Sequence, residues 1–338
     1  MIDSAYSPQA ASGIWVFLEQ DDDVLAPVSM ELLGKARELA SQSGAELTGL
    51  LVGHNLDALA TRTACLDLDR LVYVSHPLLS QFTAEAYAYA TEKVILQQKP
   101  NIFLLGATPY GRDLAGRLGV MLRTGLTADC TALALDPDDG LLLGEVSGFG
   151  GGILATIKCV EHRPQMATVR PGVFAEVESR RETPAAIDHI EVDVPPAACP
   201  VSVVERRRHA GVDVSRAERL VIAGAGIRGD MGPMEALAKA LGAELGATRV
   251  AVDEGWASRE QQIGQTGVIA RPKLAVVCGA SGATQFTVGI EQAGLVIALN
   301  QDPEASIFDQ ADLCVVDDLF PVVRALLAEF ESHGGGAL

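Results

Sequence analysis

Residues 221–232 read VIAGAGIRGDMG, a short apolar run that meets Gly224-x-Gly226-x-x-Gly229. This is the glycine pattern of a strand-to-helix turn in a dinucleotide-binding unit. Around it, RLVIAG (219–224), TRVAV (248–252), KLAVVC (273–278), LVIAL (295–299) and LCVV (313–316) are five short apolar segments. Helical patterns such as MGPMEALAKALGAEL (231–245) separate most of them. Strands alternating with helices predict a doubly wound parallel sheet, which binds its ligands at the carboxyl ends of the strands.

The predicted strand ends carry glycine and polar residues: Gly224–Gly229, Asp253-Glu254-Gly255, Gly279–Gln285, Asn300–Pro303 and Asp317-Asp318-Leu319. A further loop, Gln262–Gly267, precedes the third strand. Glycine-rich turns expose backbone N–H groups, and a helix starting after Gly282 adds a positive dipole end, so a phosphate cradle is expected. A nicotinamide site also needs a carboxylate about 20 residues beyond the glycines to hold the ribose. Asp253, at the predicted end of TRVAV, stands close to that spacing. A dehydrogenase further requires an acid–base group, and none of the six histidines (His54, His76, His162, His189, His209, His333) adjoins these loops. The residues alone therefore support a nucleotide site and leave three readings open: a single-chain NAD-dependent dehydrogenase, another nucleotide-dependent redox protein, or a non-redox regulatory module.

Outward from this region, the first half also alternates. IWVFLE (14–19), ELTGLLVG (46–53), LVYVS (71–75) and NIFLLGA (101–107) read as strands. MELLGKARELASQSG (30–44), FTAEAYAYATEKVILQQ (82–98) and a segment from Gly111 to Arg123 read as helices, the first stopped by Gly44 and the second by Lys99-Pro100. From about residue 130 the pattern becomes β-rich, with a hairpin around Asp136-Pro137-Asp138-Asp139-Gly140 and apolar runs at 153–160 and 166–170. Residues 196–216, with Arg206-Arg207-Arg208, read as a linker between an N-terminal domain (1–205) and a C-terminal one (206–338). The fold class expected is α/β: an N-terminal α/β domain with a β-rich extension, then the doubly wound domain.

The chain of 338 residues has 26 Lys and Arg against 44 Asp and Glu, a net charge of −18, which argues against general affinity for nucleic acid or anionic membranes. The cysteines at 65, 130, 159, 199, 278 and 314 form no CxxC pair, so neither a metal site nor a redox dithiol is expected. No basic-then-apolar leader opens the chain and no apolar stretch reaches the ~18 residues of a membrane span, which points to the cytoplasm.

The loops carry more than their physics. TRVAVDEGWASREQQIGQTG (248–267), CGASGATQF (278–286), ALNQDPEASIFDQAD (298–312) and VVDDLF (315–320) resemble the C-terminal domain of the electron transfer flavoprotein alpha subunit. LLGATPYGRDLAGRLGVMLRTGLTADCTAL (104–133) and EHRPQMATVRPGVF (161–174) resemble its N-terminal domain. The resemblance implies an FAD in the C-terminal domain and a heterodimer with a beta subunit, which the N-terminal domain contacts. It implies an electron carrier between a dehydrogenase donor and a flavin or iron–sulfur oxidoreductase acceptor, not expected to turn over a small molecule alone. In its electron-bifurcating branch the beta subunit holds a second FAD and oxidises NADH.

Carried onto this chain, the resemblance places Arg249 against the isoalloxazine, where a cation favours the anionic reduced ring, and includes Thr248 among the cofactor-binding residues. It places Gln265 and Thr266 in a loop along the ribityl chain and N5 side, with Ile263, Gly264 and Gly267 of the same loop among the cofactor-binding residues. Ser281, Gly282, Ala283, Thr284, Gln285 and Phe286 fall in the phosphate and ribityl loop, Asn300 and Asp302 after the fourth strand, and Asp318 with Leu319 at the adenosine end. Two departures stand out. Phe286 replaces a histidine common in the family, which removes a hydrogen-bond donor worth ~1–3 kcal/mol to charge developing on the flavin. The family's GGRG becomes GAGIRG here, so Arg228 is the basic residue left for the pyrophosphate.

Overall fold

The computed structural model describes residues 5–21, 23–147, 154–176, 180–181, 183–206 and 214–332. The chain divides into two compact units, Met1–Arg206 and Arg207–Leu338. Arg207, Arg208, His209 and His333, noted in the sequence, lie outside the described residues, as does the 207–213 part of the expected linker.

The first unit runs β1 (Ser12–Phe17), β2 (Gln20–Asp21), β3 (Val24–Leu25), α1 (Pro27–Ser43), β4 (Leu47–Gly53), α2 (Asp57–Thr63), β5 (Arg70–Ser75) and α3 (Ala84–Gln98). It continues with β6 (Pro100–Gly106), α4 (Pro109–Met121), β7 (Leu126–Cys130), β8 (Ala132–Leu135), β9 (Leu142–Ser147), β10 (Leu154–Lys158), β11 (Gln165–Val169) and β12 (Ala186–His189). Seven strands form one parallel sheet in the order β12-β5-β4-β1-β6-β11-β7, and β8–β10 form an antiparallel meander. Helix α1 stops where Gly44 turns left-handed (φ 67), and α3 stops at Lys99 in the same conformation (φ 55) before Pro100. Alternation along β1 divides two cores. Ile14, Val16 and Leu18 pack in one cluster with Leu32, Ala36 and Leu39 of α1, whereas Trp15 and Phe17 join Val94, Leu114 and Leu118 of α3 and α4.

The run at 166–170 departs from its expected place in the β-rich extension. As β11 it lies inside the large sheet, between β6 and β7, with all five residues buried. Its unbroken burial is what a parallel strand covered on both faces requires.

The second unit runs β13 (Arg219–Ala223), α5 (Gly232–Leu241), β14 (Glu244–Ala247), α6 (Arg249–Asp253), β15 (Leu274–Cys278), α7 (Thr284–Thr287), β16 (Val296–Asn300), β17 (Leu313–Val316) and α8 (Leu319–Ser332). The five strands are parallel in the order β14-β13-β15-β16-β17, with the direction of winding reversing between β13 and β15. One row of the ladder passes through Ala247, Ala223, Cys278, Leu299 and Val315, so the five strands end level with one another.

The second strand is not where the sequence puts it. TRVAV is largely α6, and the strand is Glu244–Ala247, whose first two residues read as the tail of a helix over 231–245. Gly242 (φ 58) ends α5 early and frees the next residues to pair with β13. Thr248 then closes the ladder by donating its N–H to Ala223 O at 2.9 Å. Asp253 is thereby removed from the strand end. The residues that follow the second strand are Thr248 and Arg249.

Candidate functional site

Because the strands end level, their loops form a crest along one edge of the sheet. Four inter-strand steps of about 4.8 Å give a crest of roughly 19 Å from β14 to β17, suited to an elongated nucleotide. A parallel bridge between Ala247 and Gln262 adds the 262–268 loop beside β14.

The fingerprint glycines have a structural task at this crest. A Cβ on Gly226 would lie 2.8 Å from Gly279 Cα, and one on Gly224 would strike Gly279 O. The two loops are bonded through Gly226 N–H to Gly279 O at 2.8 Å. Gly224 and Gly226 thus let the β13 and β15 loops touch at the winding reversal. Gly229 (φ 86) packs under Trp256, and Arg228 before it is exposed and left-handed (φ 53). The Arg228 side chain has no hydrogen bond or ion pair among the described residues.

The β15 loop is built to present donors. Gly282 (φ 90) passes so close to Ser306–Ile307 that a Cβ would collide with Ile307 N, and Ile307 donates its N–H to Ser281 O at 3.0 Å. The N–H groups of Ser281, Gly282, Ala283, Thr284 and Gln285 have no hydrogen-bond partner among the described residues. Consecutive free amides of this kind form an anion cradle. Asn300 supports it from β16 by donating Nδ2–H to Ala280 O at 2.8 Å. Its Oδ1 accepts from Asp302 N–H at 3.0 Å, which orders the Asn300–Asp302 turn.

At the β14 end, Ile263 is buried and donates its N–H to Ala247 O at 2.9 Å. Gly264 (φ 134) passes against Phe286, with a Cβ position 3.2 Å from Phe286 Cα, and Gln265 N–H reaches Gln285 O at 2.7 Å. The loop closes through Gly267 N–H to Gly264 O at 3.0 Å. Gln265, Thr266 and Gly267 are left exposed beside the amide run. Arg249 is 71% exposed and pairs with Asp253 at 3.2 Å. At the other end, Asp318 caps α8 through Phe320 N–H at 3.0 Å.

Besides Ile263 and Thr248, which are 1% and 8% exposed, Phe286 and Leu319 also face inward. Phe286 is 6% exposed within the core cluster that holds Ala280, Ile290 and Ile307. Leu319 is buried against Gly279. Their side chains shape the loops from beneath. The four described histidines all belong to the first unit.

Arg249, not a carboxylate, follows the second strand, so the support that Asp253 gave the NAD-dependent dehydrogenase reading is gone. Comparison with known proteins agrees. The family profile described as the electron transfer flavoprotein domain matches residues 14–195, and that described as the electron transfer flavoprotein FAD-binding domain matches 213–291. An electron transfer flavoprotein subunit alpha of Thermoanaerobacterium thermosaccharolyticum is 40% identical over 94% of this chain and 97% of its own. The chain belongs to the electron transfer flavoprotein alpha subunit family. A protein FixB of Azorhizobium caulinodans is 39% identical over 96% of this chain and 90% of its own. An acryloyl-CoA reductase electron transfer subunit beta of Anaerotignum propionicum is 35% identical over 93% of this chain and 94% of its own.

The cofactor is FAD, and the residues present fit it. The crest has the length for an extended dinucleotide, the amide run suits its pyrophosphate, and Arg249 stands free of buried partners at the opposite end from Asp318. Beyond the residues marked from the sequence, the structure adds Gln262, 3% exposed, whose Nε2–H donates to Thr266 Oγ1 at 2.9 Å. It adds Trp256, packed over Gly229. A glutamine four residues before Thr266 in a non-helical loop gives no periodicity from which to read this contact. No helix among the described residues is long and apolar enough to cross a membrane.

Proposed function

We propose that this chain pairs with a beta subunit and carries electrons on FAD, held along the second unit's crest, from a dehydrogenase to an oxidoreductase acceptor in the cytoplasm. Bound FAD supplies one- and two-electron storage. The residues' work is to hold and tune it. Ser281–Gln285 offer amides to the pyrophosphate, with Arg228 as its cation. Gln265 and Thr266 face the ribityl chain and ring edge, and Arg249 places positive charge by the ring. Asn300, Asp302 and Asp318 hold the adenosine side.

The observation that carries this reading is the crest itself: Arg249, the amide run and Asp318 in one row on level strand ends. The first unit has features of a partner-binding body. Among the described residues its outermost meander strand, β10, pairs on one side only and exposes Leu154 and Ile157, with Val160 exposed just beyond. The six cysteines are free thiols, as suits a reducing compartment.

The test is the visible spectrum and nucleotide content of the complex purified with its beta subunit. One FAD per alpha chain is expected. AMP as the second nucleotide marks the plain carrier, and a second FAD marks the bifurcating form. A complex without flavin overturns the reading.

A further inference from the structure

We propose that Gln262 is a positioning residue for the bound cofactor, fixing the Thr266 hydroxyl so that its proton points out of the loop. This rests on the FAD reading above. Gln262 is 3% exposed, and a buried amide is costly unless it is used. The turn itself does not require that side chain. It is closed by backbone bonds from Val268 N–H to Gln262 O at 2.7 Å, Gly264 N–H to Val268 O at 3.0 Å and Gly267 N–H to Gly264 O at 3.0 Å. What the side chain does is donate to Thr266 Oγ1 at 2.9 Å. A threonine hydroxyl has one proton and two lone pairs. With one lone pair engaged from inside, the proton is turned toward the exposed face of Thr266, the face beside the amide run. Gln262 thereby makes Thr266 a donor toward an acceptor atom of the flavin. An unheld hydroxyl would divide its time between donor and acceptor orientations.

The experiment compares Gln262→Leu and Gln262→Glu with wild type in the FAD-loaded heterodimer, reading FAD content, visible spectrum and flavin reduction potential. A carboxylate at 262 accepts the hydroxyl proton, so Gln262→Glu reverses the polarity while keeping shape. It carries the test if Gln262→Leu fails to retain FAD. Each variant is expected to change the affinity for oxidised flavin relative to reduced flavin by about five- to tenfold, the size of one hydrogen bond, and so to shift the potential away from wild type. On a Thr266→Val background the effect of Gln262→Leu disappears and that of Gln262→Glu shrinks to its charge alone. Wild-type potentials in both single variants, or effects undiminished on the Thr266→Val background, would overturn the proposal. A wild-type complex without FAD would instead defeat the functional reading.

Discussion

At Arg249 the only hydrogen-bonded partner of the guanidinium among the described residues is Asp253, four positions along the same short helix. An exposed pair of this kind contributes little to stability. Arg249→Gln is therefore expected to leave denaturant unfolding within about 0.5 kcal/mol of wild type. With Arg249 beside the ring as proposed, its loss in the loaded heterodimer should lower the flavin potential, because reduction would add negative charge there. A large loss of stability with an unchanged potential would assign Arg249 to the scaffold. Phe286 is the opposite case. Its ring is core, so Phe286→His buries an imidazole among apolar side chains and should cost ~1–3 kcal/mol on urea denaturation. A neutral effect would mean that the site tolerates a polar ring and that the family's histidine can be restored at no cost. The sequence distinguishes these two positions as residue types. It does not show that one side chain is free and the other buried, because burial here depends on loops separated by about twenty residues or more.

Among the elements, the level ends of β13, β15, β16 and β17 are legible from their apolar runs, and β14 is not. Val250 and Val252 give TRVAV the look of a strand, yet Val250 is half exposed and the segment is helical. The true strand contains Gly246, which allows Ile263 to pack within 3.0 Å of its Cβ position. Gly242 was the available signal, as a left-handed helix stop inside what reads as one continuous helix. The first unit has an equivalent reversal of winding between β1 and β6, and there the strand ends are joined to each other. Thr108 Oγ1 donates to Glu19 Oε2 at 2.5 Å and accepts from Gly111 N–H at 2.9 Å, while Ser29 and Ala26 donate to Glu19 O. Burial pushes the Glu19 carboxyl above its usual range, the Thr108 bond opposes this, and Asp21 adds to it. The folded state thus binds this proton more tightly than the unfolded state. That stabilisation is complete below the ordinary glutamate range and is lost as pH rises through the raised value. Glu19→Gln removes the titration, so its advantage over wild type should grow as pH rises above the ordinary glutamate range. Hydrogen exchange of the β1 and β6 amides reads this locally, and an advantage that grows toward low pH would contradict it.

On the scale of the whole molecule, the two units share a parallel-sheet plan but differ at the place where such sheets hold ligands. In the second unit the reversal is lined by glycines and overlooked by free amides. In the first it is filled: a Cβ on Gly106 would lie 2.7 Å from Val28 Cγ1, and Glu19 with Thr108 spans the strand ends. Every residue assigned to FAD falls between Arg228 and Leu319, within Arg207–Leu338. A ligand that binds only folded protein stabilises the unit holding it by RT ln(1 + [L]/Kd), about 2.7 kcal/mol at a hundredfold excess over Kd. Calorimetry of the chain stripped of flavin should resolve two transitions, and added FAD should raise one of them. Exchange protection should increase in β13–β17 and stay unchanged in β1, β4 and β6. If FAD instead protected the β1 and β6 amides, the closed reversal of the first unit would have to open to bind it, and the division of labour between the two sheets would fail.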